Sequence, residues 1–556
     1  MNQINPIIIK LLRKRGITEE TDIREFLSEK PQITYDPFLL ADMEAGVDFI
    51  LSGIRNGDKI CIYGDYDADG ITSVSLLRQV LAELTDPSKL SYYIPSRFEE
   101  GYGLNREAIS AIQQSGASRI ITVDCGSVSY EEVEYAKEIG MKIMVTDHHS
   151  ITDRRADCIL INPKRPDCRY PYKQLAGVGV AFKLAQALQQ RTGLPKSVLT
   201  GVLDLVAVGT IGDIVALTGE NRTMVKYGMR VVNAGVRPGL TQLIRGIGLT
   251  PGQVRPEKVA FAIVPHLNAS GRIKDARTAA ELMMTTEPQM LREGTETLIQ
   301  NNRLRKELQE TTCDECERMI ASGAAGAGQD PLILLLLPDA HEGITGIAAG
   351  RVKDAHHRPT ILVTPSGEDG SLLKGTGRSI ETVDLYQLLK SCEDLFLKFG
   401  GHAGACGFSM KKEHFEELGQ RLNACLSDML SENPSLLERR SAVELELRAG
   451  DITEELADQL EWMQPFGHRN PRPVFAIPRV RVRNIVRMGG EGQHLRLTAE
   501  DASGGCVQCV LFQRAEEVLP MIQGEQTLRF SGTVEEQIWN GRKRVQMILS
   551  EIEPEA

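Results

Sequence analysis

The chain reads as an α/β protein of several domains: a parallel-sheet domain, a helical connector, a second α/β domain and a small β-barrel. Three observations predict this. Between Gly57 and Asp147, apolar runs of strand length alternate with stretches of helical apolar spacing, the pattern of a parallel sheet with crossover helices. A long charged helical pattern over 280–322 is followed by a new apolar run, PLILLLLP, that opens a second α/β region. From about residue 440 the runs become short and alternating, divided by GGEG, ASGG, QGE and WNG, as in a β-domain.

At 556 residues the chain is longer than a single hydrophobic core organises. The net charge of −11 weighs against indiscriminate polyanion binding but leaves room for a local basic track. No apolar run approaches the roughly 18 residues of a membrane helix. The opening MNQINPIIIKLLRKRG lacks the order of a signal peptide, so a cytoplasmic protein is expected, with no membrane partner. Eleven scattered cysteines fit reduced thiols. The pairs Cys313/Cys316 and Cys506/Cys509 have zinc-like spacing, but the first lies in a helical pattern and the second in a strand, far away in the chain.

Residues 1–55 form a helical lead-in, with Ile7, Ile8, Leu11, Leu12, Phe26 and Leu27 at helical spacing around the turn-like KPQITYDP. Residues 56–235 carry KICIY, a helix over 71–84, SYYIP, helical NREAISAIQQSG, RIITVD, helical YEEVEYAKEIG and KIMVTD. A helical connector over 236–323 leads to the second α/β domain at 324–435, entered through AAGAGQD. In that domain HEGITGIAAGRV makes a Gly-rich helix start and GGHAGACG a loop whose backbone can approach phosphate. The β-domain occupies 440–556, and VFAI and RVRVRNIVRM are its first runs.

The acids carry the chemistry. Asp65, Asp67 and Asp69 follow the first strand, Asp124 ends RIITV and Asp147 ends KIMV, continuing into His148 and His149. Parallel strands joined by right-handed crossovers place all these ends on one edge of the sheet, where ligands bind. Closely spaced carboxylates repel unless a cation lies between them, so the edge is a seat for Mg²⁺ or Mn²⁺; a solvated acidic turn is the plainer reading of the first cluster taken alone. LDLVAVGTIGDIVAL is too apolar to be exposed, and either Asp204 or Asp213 within it would be buried unless paired or bound to metal.

DYDADG, VDCG, TDHH and the Asp213 segment, in this order, resemble the motifs of the DHH phosphoesterase superfamily. IPSRFEEGYGLN, NPKRPDCRYPYKQLAGVGVAFKL, LTGENR, LNASGRIKDARTA, GRSI, FGGHAGACGFS and PFGHRNPRPVF narrow the resemblance to the RecJ family of bacterial exonucleases, along nearly the whole chain. One departure is Cys125, where that family has Asn in VDNG; substrate contact or loop geometry there is open.

The resemblance implies Asp67, Asp69, Asp124, His148 and Asp213 as ligands of two Mn²⁺ or Mg²⁺ ions, with Asp65 and Asp147 either ligands or positioning acids. His149 would contact the scissile phosphate or assist proton transfer. Arg97, Arg272 and Arg378, with Ser379, would bind a 5′-terminal phosphate; Gly401, His402 and Gly404 would bind substrate through a DHH-associated domain, the strand running between the two α/β domains. The β-domain would be an OB-fold, using Arg479, Arg481 and Arg483 on one strand face and Arg542, Lys543 and Arg544 after the turn beyond Trp539 to bind single strands. The implied activity is release of mononucleotides from the 5′ end of single-stranded DNA in recombination and repair, by a monomer with a single-strand-binding protein and a RecQ-type helicase as partners. The alternatives are a DHH phosphodiesterase acting on short oligonucleotides, cyclic dinucleotides or polyphosphate, and a noncatalytic replication scaffold.

Overall fold

The computed structural model describes residues 4–151, 154–323, 330–366, 370–439, 442–523, 527–539 and 542–555. The break expected at AAGAGQ and the Asn540–Gly541 turn lie outside these residues, as do the side chains of Trp539 and Arg542. The chain forms two compact units: Met1–Tyr93, Gly103–Val264 and Ser441–Ala556 make the first, and Ile94–Tyr102 with Pro265–Arg440 the second.

The first unit holds a five-stranded sheet of β1 (Ile60–Tyr63), β2 (Leu90–Tyr93), β3 (Arg119–Val123), β4 (Lys142–Thr146) and β5 (Ile159–Ile161), all parallel, in the order β2-β1-β3-β4-β5. Its helices are α1 (Pro6–Lys14), α2 (Glu20–Leu27), α3 (Met43–Asn56), α4 (Ala68–Ala82), α5 (Arg106–Gln114), α6 (Tyr130–Glu138), α7 (Gly177–Thr192), α8 (Lys196–Thr200), α9 (Leu203–Gly212) and α10 (Gly219–Ala234). On one face, Ala108, Ile109 and Ile112 of α5 and Val133 and Ala136 of α6 pack against Tyr63, Ile120 and Val145. The other face is covered by α4 and α7, and α9 packs on both of these helices. Every residue of β1 and β3 is buried, which is why these strands read as unbroken apolar runs rather than alternating ones.

In the second unit the strands are β6 (Ile333–Leu336), β7 (Thr360–Ser366), β8 (Leu372–Arg378), β9 (Phe396–His402) and β10 (Ala405–Lys411), ordered β6-β7-β8-β10-β9 with only the first pair parallel. The expected GGHAGACG loop is instead the tip of the β9–β10 hairpin, with Gly401 paired to Cys406 and Gly400 to Gly407. Glycines carry no side-chain signal of a strand, so periodicity missed it. The single helix expected over 280–322 is two, Arg277–Met284 and Pro288–Ala321, because Pro288 favours the first turn of a new helix.

The β-domain belongs to the first unit and comprises β11 (Val443–Glu446), β12 (Val474–Met488), β13 (His494–Glu500), β14 (Cys506–Leu511), β15 (Leu528–Trp539) and β16 (Arg542–Pro554). Strands β12, β13, β14, β16 and β15 pair in that order, and β15 returns to β12 to close a barrel. VFAI and RVRVRNIVRM are one strand rather than two. A register shift between Ile477 and Val480, with Arg479 at φ 51°, carries β12 past Pro478 and lets it pair with β15 first and β13 second. A helix at Ala515–Ile522, unforeseen from the sequence, packs Val518 and Ile522 into the barrel core.

The lead-in does not stand alone. Ile8, Leu11 and Leu12 of α1 and Ile23 and Leu27 of α2 share a core with Phe475, Phe530 and Leu456 of the C-terminal region. Arg222 of α10, buried, donates to Phe26 O, Trp462 O and Met463 O, tying α2, the parallel-sheet domain and the C-terminal region together. Arg222→Ala is expected to leave these carbonyls without that donor and destabilise the protein by about 3 kcal/mol in chemical unfolding. An unchanged midpoint would show that the tie carries no stability.

Candidate metal centre

The acids foreseen at strand ends meet at one rim because β1, β3 and β4 are adjacent in the sheet. Asp67 caps α4, its Oδ1 accepting from Asp69 N at 2.9 Å and Gly70 N at 3.1 Å. Asp69 lies in the first turn of α4 and reaches across to the start of α7, where its Oδ2 accepts from Gly177 N at 2.6 Å and its Oδ1 from Val178 N at 2.8 Å. Two helix N-termini thus hold carboxylates in place through otherwise unpaired amides. A Cβ at Gly177 would overlap the Asp124 carboxylate, so only glycine admits α7 this close.

Asp124 ends β3 in the left-handed region, at φ 63°. Thr122 Oγ1 donates to Cys125 O at 2.7 Å and fixes that turn. The buried Cys125 side chain packs in the apolar layer with Tyr63, Leu104 and Val133. The departure from Asn therefore leaves the turn formed and puts a thiol in the core. Asp147, at the end of β4, spends its oxygens on the protein: Oδ2 accepts from Ser127 N, and Oδ1 from His148 N, His149 N and, at 2.8 Å, His149 Nδ1. It holds the backbone of both histidines and the ring of His149.

The convergence is on His148. Its Nε2 lies 3.1 Å from Asp124 Oδ1, 3.4 Å from Asp213 Oδ2 and 3.9 Å from Asp69 Oδ2. His148 Nε2 and Asp213 Oδ2 are buried with no hydrogen-bond partner among the described residues. Donor atoms of Asp69, His148 and Asp213 lie within 4.8 Å of one another, as do those of Asp65, Asp67 and Asp124, and those of Asp124, His148 and His149. Asp213 sits at the C-terminal cap of α9, whereas Asp204 in the same segment pairs with Arg237 at 2.7 Å. That contact separates the two acids the sequence left open.

The electrostatics match a cation site. Burial, then the charge of Asp67, pushes Asp69 up to about 7. Burial and the surrounding carboxylates also hold Asp124 and Asp213 well above the usual range. Burial, then the His149 charge, lowers His148 to about 3, leaving it a neutral imidazole with a lone pair to give. Asp147 goes the other way: burial opposes its charge, but the His149 hydrogen bond and charge hold it below the carboxylate range. Oxygen donors with one neutral imidazole suit Mn²⁺ or Mg²⁺.

The second unit gathers the other predicted residues. Burial, then the charge of Arg97, depresses Arg378, so these two guanidinium groups stand close enough to feel each other. Arg272 Nη1 donates to Gly343 O at 3.2 Å. Phe98 meets His341 edge to face at 5.5 Å. Arg378, Ala405 and His402 lie in one cross-strand row, with the Gly404 turn beside them; His402 Nδ1 accepts from Gly404 N at 3.2 Å. Ser379 is committed elsewhere: its hydroxyl donates to Val383 O at 2.7 Å. On the barrel, Arg479, Arg481 and Arg483 are all exposed, but Arg483 pairs with Glu500, and Lys543 with Asp458 and Glu536.

Sequence reasoning assigned no part to Gly177, Val178, Ser127, Asn162, His341 or Gly343. The first two stood inside AGVGVAF, but nothing in one sequence says which carboxylate a helix start will meet.

Residues 59–210 match the DHH family N-terminal domain, 329–428 the DHHA1 domain and 443–551 the RecJ OB domain. The chain is 35% identical to the single-stranded-DNA-specific exonuclease RecJ of Bacillus subtilis (strain 168), over 99% of this chain and 68% of that protein. It is 32% identical to RecJ of Escherichia coli (strain K12), over 99% and 96%. Among solved structures, RecJ of Thermus thermophilus in complex with Mn²⁺ superposes with a TM-score of 0.82 at 28% identity, covering 100% of this chain and 76% of that one. The Mg²⁺ complex of the same protein gives 0.77 at 27%, covering 100% and 75%. With the acid-and-imidazole rim in place and these relatives matched along nearly the whole of this chain, the chain belongs to the RecJ family of single-stranded-DNA-specific exonucleases.

Proposed function

We propose that this protein is a divalent-cation-dependent exonuclease that removes mononucleotides from the 5′ end of single-stranded DNA, in recombination and repair. The observation that carries this is the meeting of Asp69, Asp124 and Asp213 around Nε2 of His148. Asp69, His148 and Asp213 would hold one Mn²⁺ or Mg²⁺ ion and Asp65 and Asp67 a second, with Asp124 near both. Bound there, such ions supply charge neutralisation at the phosphoryl oxygens and a nucleophilic water.

The protein's own groups do the rest. Asp147 fixes the His149 ring through Nδ1, which makes Nε2 the nitrogen to contact the phosphate and handle a proton; the same hydrogen bond favours the protonated ring, though burial opposes it. Arg97, Arg272 and Arg378 would grip the 5′-terminal phosphate, since guanidinium groups set close enough to disfavour each other are relieved by an anion between them. Gly401, His402 and Gly404 would border that clamp, while Ser379, whose amide donates to Gly404 O and whose hydroxyl donates to Val383 O, would shape the turn rather than donate to the phosphate. The barrel would hold the following strand through Arg479, Arg481 and Arg544, with Arg483 and Lys543 diluted by their acidic partners. A single-strand-binding protein and a RecQ-type helicase fit as partners that present the strand to a monomer.

Asp124→Ala is expected to lower cleavage of 5′-labelled single strands by at least about a thousandfold, as chelation does in the wild type. Label released first from the 3′ end, or cleavage surviving chelation, would overturn the assignment. Burial and the Asp67 charge push Asp69 up to about 7 in the cation-free protein, so protons compete with the cation below that pH. Mn²⁺ affinity by calorimetry should therefore weaken from about pH 8 to about pH 6. The sign for stability is opposite: the folded-state value lies above the unfolded one, so the cation-free fold gains stability as pH falls through about 7, and Mn²⁺ raises the melting temperature more at the higher pH. A pH-independent affinity would remove this linkage. Arg479→Glu with Arg481→Glu should weaken binding of long strands and flatten its salt dependence while turnover of short ones persists; an unchanged slope would take the barrel off the DNA path.

A further inference from the structure

We propose that Lys164 contacts the phosphate being hydrolysed, a fixed positive charge at the metal centre; the inference rests on the reading of that centre given above. Lys164 follows β5, whose Ile161 lies beside Thr146 of β4, and Asp147 N donates to Ile161 O at 3.0 Å. The next residue, Asn162, is buried and works as a bracket. Its Nδ2 donates to Ser127 Oγ and to His149 O, both at 2.9 Å, and its Oδ1 accepts from Lys164 N at 2.8 Å. The same side chain that braces the loop carrying His149 therefore turns the chain at Lys164. On the far side, Arg165 is anchored by Asp42, Asp167 and Leu160 O, so the backbone at Lys164 is held before and after.

Between these anchors the Lys164 ammonium interacts with Asp213, from α9, and with Asp147, from β4, and adds positive potential at His148. Yet it forms no ion pair with any of these acids among the described residues. An ammonium beside a seat for divalent cations is repelled by them unless an anion lies between. The scissile phosphodiester is that anion. The centre also needs the charge, because Asp65, Asp67, Asp69, Asp124, Asp147 and Asp213 outnumber the positive charge of two dications and would repel a strand. Arg165 cannot serve, since its guanidinium is already saturated by two carboxylates. Lysine, a compact point charge with three donors on a half-buried stem, can reach one oxygen without displacing a cation.

The test uses the full chain with 5′-phosphorylated single strands and Mn²⁺. Lys164→Met is expected to lower kcat/KM by about ten- to a hundredfold, the worth of one hydrogen bond from a charged donor. The salt slope of log kcat/KM should become shallower by about 0.7, one phosphate contact fewer on a single strand. Lys164→Arg should recover most of the loss. Mn²⁺ binding without DNA should stay unchanged or tighten, and the melting temperature should hold. An unaltered kcat/KM and salt slope would overturn the proposal, as would a loss of activity matched by an equal loss of Mn²⁺ affinity, which would make Lys164 an organiser of the acids instead. Cleavage by the wild-type chain that survives chelation would remove the centre itself, a failure separable from that of Lys164.

Discussion

The mutual repulsion of buried carboxylates is the constraint to which the first unit is built. Asp65, Asp69, Asp124 and Asp147 are all nearly inaccessible to solvent, at the ends of three adjacent strands. Left alone, such a cluster neutralises itself by taking up protons, and Asp69, Asp124 and Asp213 are indeed displaced toward the protonated form. What keeps the site shaped is the set of donors around it. The start of α4 serves Asp67, the start of α7 serves Asp69, and Ser127 with the two histidine amides serves Asp147. These bonds satisfy some lone pairs and aim the remaining ones at a common point. The repulsion that survives is what a divalent cation relieves, so affinity for the ion and the cost of the fold are two sides of one electrostatic balance.

The surroundings of this rim are correspondingly stiff. Lys183 and Glu220 pair at 2.7 Å with both side chains essentially inaccessible, and Tyr170, Thr34 and the Tyr35 carbonyl complete that network. Asp204 with Arg237 makes a second buried pair beneath α9. Buried ion pairs add little net stability, but breaking one leaves an uncompensated charge, so they hold elements to a single arrangement. Here they fix α7, α9 and α10, and a centre assembled from two helix starts, three strand ends and one helix end tolerates little slippage among them.

Charge is distributed differently over the surfaces. In the second unit the charge of Arg97 adds to burial in depressing Arg378. On the barrel several cations are already answered: Arg483 by Glu500, Arg487 by Glu516, Arg529 by Glu446 and Lys543 by Glu536. Exposed pairs of this kind are weak and exchange readily for phosphate, but each costs a strand part of its attraction. The overall acidity of the chain agrees with a protein that holds one strand along chosen contacts rather than coating itself with nucleic acid.

By itself the amino-acid sequence determined the parallel sheet, its rim of acids and the family, because apolar periodicity and strand-end position are local properties that right-handed crossovers convert into proximity. Asp65, Asp67, Asp69, Asp124, Asp147 and the histidines were legible for that reason. The tertiary structure alone decided matters that hinge on a partner distant in the chain. Arg237 takes Asp204 and leaves Asp213 to the centre; Asp147 saturates itself on backbone amides and His149; Cys125 turns into the core. The glycines of GGHAGACG enter a hairpin through pairing with a neighbouring strand, and the lead-in packs into the barrel core hundreds of positions away. A carboxylate becomes a ligand, a cap or half of an ion pair according to which donor the fold brings to it. That choice is made by packing, not by the residue or its near neighbours.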